Sequence, residues 1–210
     1  MARRQTDREE LWNVMTHAFG FLLFIAIAIA LFLKADWSID YMLPSLLVYC
    51  ISQLSLYFSS TAYHRVKEGA LKFKLRKVDH ISIYGSIAGT YTPVCLISLE
   101  QSSGWYILAS VWWIALFGTI WKLFFTGKFE AFSSILYLVM GWLVVFDFDT
   151  LKDVFSYFQL NLLITGGIFF TVGIIFYAWN KLYFNHVIWH LFVLGGSLSH
   201  AAMVWFVVTP

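Results

Sequence analysis

Seven long apolar runs divide this chain, and each approaches the length needed to cross a lipid bilayer. They fall at about 17–33, 41–63, 81–99, 105–125, 131–146, 160–179 and 186–208. A helix crossing the hydrocarbon core needs about 20 mainly apolar residues. Continuous runs of this kind lack the in–out alternation of barrel strands, so helices are expected. The reading is an all-α membrane protein, a seven-helix transmembrane bundle forming one domain over residues 1–210. No internal repeat interrupts it. The run at 131–146 is the shortest and is expected to extend toward Phe129 or to tilt little.

Composition agrees. Hydrophobic residues make up 60% of the chain and charged residues 12%, with a mean hydropathy of +0.73. A soluble domain carries about twice that charged share. Cys50 and Cys95 both lie inside apolar runs and read as small buried residues, not as a disulfide framework. The polar opening MARRQTDREE is followed by a run of spanning length, then by Lys34, Ala35, Asp36 and Trp37 without a cleavage pattern. The first run is therefore expected to be a retained span and not a signal peptide.

Basic residues set the orientation. With a cytoplasmic N-terminus and seven crossings, every Lys and Arg except Lys34 and Lys152 falls on the cytoplasmic side. That bias predicts N-terminus inside and C-terminus outside. The small net charge of +2 gives no reason to expect a nucleic-acid partner; membrane lipids are the expected surroundings.

Within this topology, histidines collect near one surface. His186 and His190 open the last run as a His-x-x-x-His pair, and His64 closes the second run as Ser60-x-x-x-His64. Residues four apart on a helix differ by about 40° in azimuth and about 6 Å along the axis. His186 and His190 can thus reach one ion, as can Ser60 and His64 one neighbour. Three imidazoles from two helices supply the protein share of a catalytic zinc site, with Asp79 as a carboxylate near the fourth position. A single histidine at a span end is ordinarily an interfacial residue. A pair on one helix face, matched in depth by His64 and Asp79, points to a shared polar site, because ionisable residues within membranes tend to be functional. Asn13 and Thr16 are expected to cap the first helix. Asn13 and His17 are expected beside the metal rather than on it. His200, ten residues beyond His190, lies about 15 Å deeper and reads as a helix–helix hydrogen bond.

Asn13-x-x-Thr16-His17, Ser60-x-x-x-His64, the run from Asp79-His80 through Tyr84, Gly89 and Tyr91 to Pro93, and His186-x-x-x-His190 together resemble the hemolysin III family. This is the bacterial branch of the progestin and adiponectin receptor superfamily, which is related to alkaline ceramidases. The resemblance spans nearly the whole chain. It implies a multi-pass protein of the bacterial plasma membrane with zinc near the cytoplasmic face. The metal would rest on His64, His186 and His190, with Asp79 and Ser60 contacting or orienting water. The long extensions of the eukaryotic receptors have no counterpart in this sequence, which argues against a hormone-receptor role.

Two functions follow as expectations. The first is a zinc-dependent hydrolase of a lipid amide or ester, with Asp79 as general base and Ser60 orienting water. The second is a membrane-active, cytolytic or homeostatic protein in which zinc is structural. No span carries a stripe of charge, which argues against a pore. A retinal-type pump is excluded, since the nearest lysine, Lys181, precedes the last span.

Overall fold

The computed structural model describes residues 3–210. Helix α1 (Asp7–Lys34) starts a full ten residues before the first apolar run. The cause is a reciprocal cap: the Thr6 hydroxyl accepts the Glu9 N–H, and the Glu9 carboxylate accepts the Thr6 N–H at 2.9 Å. The expected caps Asn13 and Thr16 therefore lie inside the helix. Thr16 bonds back to the Trp12 carbonyl at 2.9 Å instead.

Next come α2 (Met42–Arg65), α3 (Ala70–Pro93) and α4 (Gly104–Phe125). Pro93 has no N–H to give and ends the α-helical pattern of α3. The chain widens there into one turn of π-helix, Val94–Ser98, closed by Leu99 N–H on the Val94 carbonyl at 3.0 Å.

The short fifth run is longer than expected. Helix α5 (Glu130–Trp142) tightens into a 3-10 turn, Leu143–Asp147, and continues as α6 (Phe148–Val154). The residues just after the run, from 147 to 154, are thus helical as well. Tyr91 anchors the junction: its hydroxyl donates to the Gly141 carbonyl at 2.9 Å and accepts Val144 N–H at 3.0 Å. Helices α7 (Tyr157–Ala178) and α8 (Asn185–Val208) complete the chain.

The product is an all-α bundle. Helix α1 packs on α2 and α8, α7 packs on α8, and α3 touches α2, α4, α5 and α8. Polarity is reversed relative to a soluble protein. Leu22, Leu33, Tyr106, Trp113, Phe124 and Phe146 face outward, whereas Asn13, Gln53, Ser60, His64, Asp79 and His190 are buried. Such an outer surface suits lipid, and the polar groups are gathered inside the bundle. Cys50 and Cys95 are buried free thiols.

Among the described residues, six segments are long and apolar enough to cross a membrane by length and composition: α1, α2, α4, the α5–α6 segment, α7 and α8. Helix α3 falls short, although a span was expected at 81–99. Lys72, Lys74, Arg76 and Lys77 occupy its first turns, and Ser82, Ser86, Thr90 and Thr92 follow. The reason is its position. Four helices surround α3, so it meets protein where the others meet lipid, and its side chains need not be apolar.

Candidate metal centre

The start of α1, the end of α2 and the starts of α3 and α8 gather at one end of the bundle. His64, His186 and His190 meet there. Their ring centroids are 5.0 Å apart for His64–His186, 5.0 Å for His64–His190 and 4.6 Å for His186–His190. One nitrogen from each ring lies within 4.8 Å of the others, a spacing suited to holding a metal ion. Asp79 is not part of that group of three.

Partners outside the cluster fix two of the rings. The Nδ1 of His64 lies 2.6 Å from Oε2 of Glu10, in the first turns of α1. A carboxylate only accepts, so His64 donates from Nδ1 and its Nε2 keeps a lone pair. That Nε2 is buried and has no hydrogen-bond partner among the described residues. Lys72 of α3 donates to the other oxygen of Glu10 at 2.7 Å, which holds the carboxylate in place.

The Nδ1 of His190 lies 3.2 Å from the Thr16 hydroxyl. Thr16 has one hydrogen, and it is directed at the carbonyls of Trp12 (2.9 Å) and Asn13 (3.0 Å). Thr16 must then accept from His190, which leaves the Nε2 of His190 as a lone-pair donor. Two imidazoles that each have a fixed partner at Nδ1, and that when neutral would present Nε2 as a lone-pair donor, form the arrangement that metal-binding histidines typically show. The residues present therefore fit a zinc ion, whose usual ligands are neutral imidazole nitrogens.

His17 stacks on His190, with ring centroids 3.5 Å apart, and meets Tyr57 edge-on at 5.1 Å. It is 3% exposed, and neither ring nitrogen has a hydrogen-bond partner among the described residues. Asn13 is fully buried and donates to the Gln5 side chain. His80 lines the same cavity as Asp79 but is not one of the three clustered histidines. Its Nδ1 lies 3.6 Å from Glu130, which also holds Lys122 at 2.5 Å and Arg76 at 3.2 Å. It belongs to a separate ionic group joining α3, α4 and α5.

A cavity of about 100 Å³ runs from this centre into the bundle. His17, Ser60, Asp79, His186 and His190 line its near end. Ser60 is 1% exposed and its hydroxyl stands beside Asp79 without a hydrogen bond of good geometry. Gly141 and Trp142 of α5 and Gly167 and Thr171 of α7 line one wall, where Trp142 Nε1–H donates to the Thr171 hydroxyl at 3.2 Å. His200 also lines the cavity and makes the expected helix–helix bond, its Nε2 lying 3.1 Å from the Leu163 carbonyl of α7.

Sequence reasoning missed the roles of Glu10, Thr16 and Lys72. A signal was present for Glu10: Glu10, Asn13 and His17 follow at intervals of three and four, which puts them on one face of α1.

Comparison with known proteins agrees with this architecture. The family described as Haemolysin-III related matches residues 5–201. Hemolysin-3 of Bacillus cereus is 40% identical over 207 residues, covering 98% of this chain and 94% of that protein. The hemolysin-3 homolog of Bacillus subtilis (strain 168) is 41% identical over 195 residues, 92% of each. Heptahelical transmembrane protein 1 of Arabidopsis thaliana is 26% identical over 231 residues, covering 92% of this chain and 68% of that protein. With its long apolar helices and a cluster of histidines suited to a metal, the chain is an integral multi-pass membrane protein and belongs to the haemolysin-III-related family.

Proposed function

We propose that this chain is a seven-helix membrane protein that holds zinc on His64, His186 and His190 and hydrolyses a lipid amide or ester drawn from the bilayer. Residues 1–210 form one transmembrane domain, with α3 as the sheltered seventh crossing. The name of the heptahelical Arabidopsis relative supports that count. The N-terminus is cytoplasmic and the C-terminus outside, as the placement of basic residues favours. The zinc then lies near the cytoplasmic face of a bacterial plasma membrane.

The observation that carries this reading is the pair of imidazoles held from behind by Glu10 and Thr16, beside a largely apolar cavity. Zinc bound there would supply Lewis-acid charge at a carbonyl oxygen and favour ionisation of water. Asp79, on the cavity wall, takes the proton from the attacking water at a carboxylate oxygen and returns it to the leaving group. The Ser60 hydroxyl, beside Asp79, orients that water. His17 packs against His190 and steadies it, and the buried Asn13 supports that turn of α1. The apolar walls hold the acyl chain and keep bulk water away. The test is release of fatty acid from a panel of ceramides and acyl esters by the purified, zinc-replete protein.

A second reading takes zinc as structural and the protein as membrane-active or homeostatic. The name Hemolysin-3 of the Bacillus cereus relative favours it. Zinc retention with no turnover on that panel, together with lysis of lipid vesicles, would select this reading over the first.

A further inference from the structure

The cavity has a second polar end that the proposed chemistry does not use. On α8, His190, Val193, Ser197 and His200 follow at intervals of three and four, and all four line the cavity. At 1.5 Å per residue, Ser197 lies about 10 Å beyond His190 and His200 about 15 Å beyond it. Gln53 of α2 and Thr90 of α3 lie about 10 Å and 16 Å beyond Ser60 and Asp79, so they reach a similar depth. Between the two ends the wall is apolar, formed by Leu56, Ile83, Ile87, Phe170 and Ile174.

Hydrogen-bond accounting separates helix glue from free capacity at this deep end. Gln53 is satisfied: it donates to the Ser86 carbonyl at 3.2 Å and the Thr90 hydroxyl at 3.0 Å, and it accepts from the Ser86 hydroxyl at 3.3 Å. His200 spends its Nε2–H on the Leu163 carbonyl, which leaves Nδ1 as an acceptor in the neutral ring. Ser197 differs from several hydroxyls of the spans. Thr92, Ser110, Thr171 and Ser199 each bond back to the carbonyl four residues earlier. Ser197 is 4% exposed, and its hydroxyl has no such bond; it stands beside the Tyr57 hydroxyl, with which it pairs only at poor geometry. The Tyr57 hydroxyl beside it also lacks a partner of good geometry. A polar group left unpaired at this depth costs free energy, so the deep end is suited to a ligand that brings its own hydrogen-bonding group.

We propose that the cavity selects acyl chains carrying a hydroxyl group partway along the chain. Carbon–carbon bonds of about 1.5 Å advance about 1.3 Å each along an extended chain. The 10–15 Å between the histidine end and Ser197–His200 then corresponds to about 8–12 carbons from the carbonyl. The ligand hydroxyl donates to Nδ1 of His200 and accepts from the Ser197 hydroxyl. This inference rests on the reading of the cavity as a lipid site and names its substrate class.

Binding of free acids to the full-length protein in detergent tests it without requiring turnover. The probes are octadecanoic acid and its 3-, 10- and 12-hydroxy derivatives, measured by displacement of a fluorescent fatty acid. The 10- or 12-hydroxy acid is expected to bind about tenfold more tightly than octadecanoic acid, the net effect of one or two buried hydrogen bonds. The 3-hydroxy acid gains nothing. Ser197→Ala with His200→Phe, which keeps a ring against Gly166, removes the preference, so that on this variant the 10- and 12-hydroxy acids bind no more tightly than octadecanoic acid. Equal affinity for all four acids, no binding of any, or a preference that survives the double substitution overturns the proposal. Zinc content and hydrolysis are read on the same samples. A hydroxyl preference without turnover would therefore remove the hydrolase reading and leave this one standing.

Discussion

The Nδ1 of His64 lies 2.6 Å from Oε2 of Glu10, so a carboxylate from the first turns of α1 orients an imidazole at the end of α2. Such partners typically govern metal affinity by 10- to 100-fold. Glu10→Gln is expected to weaken zinc binding by about that factor, without loss of the helical far-ultraviolet spectrum. Titration against a competing chelator reads it. Unchanged affinity would remove Glu10 from the site.

Thr16 acts on His190 in the same way. Thr16→Val removes the acceptor for the Nδ1 proton of His190 while preserving shape, and zinc affinity is expected to fall about tenfold. Thr16→Ser retains the acceptor and should bind as the wild type does. If the serine variant loses as much as the valine variant, the hydroxyl is not the operative group.

Asp79 is separable from the ligands. It lines the cavity but stands outside the three-imidazole group. Asp79→Asn should keep its zinc and lose at least 100-fold in lipid hydrolysis, the usual contribution of a general base. Retained hydrolysis would assign the proton to another group.

Packing makes a prediction independent of metal. A side chain at Gly89 would run into Ser52 and the Val48 carbonyl of α2, 3.2 Å away, where α2 and α3 approach closely. Gly89→Val is expected to cost about 1–3 kcal/mol, or more if the backbone cannot shift. Thermal unfolding in detergent reads it, and a variant as stable as the wild type would show that the two helices can separate freely there.

Legibility in the sequence followed what each residue faces. Helices that meet lipid carry long apolar stretches, so α1, α2, α4, α7 and α8 are legible as runs. The spacing of His186 and His190 is enough to place two imidazoles on one face. Helix α3 is the opposite case: the run at 81–99 reads as a span, yet the helix, with four neighbours, carries Ser82, Ser86 and Thr90 inside the bundle and falls short of the other spans in hydropathy. The start of α1 was misplaced because Thr6-Asp-Arg-Glu9, a capping-box pattern, precedes the apolar run by a full ten residues. The roles of Glu10, Lys72 and Thr16 depend on contacts between helices far apart in sequence, such as Thr16 with His190, which no local pattern encodes.

The most direct test is the zinc content of the detergent-purified chain, measured by elemental mass spectrometry for the wild type and for His186→Ala/His190→Ala. The account predicts one zinc per wild-type chain and none in the double variant, with the helical spectrum preserved in both. Wild-type protein that binds no zinc when supplied with it, or a double variant that keeps its zinc, would contradict the assignment of these histidines as a metal centre.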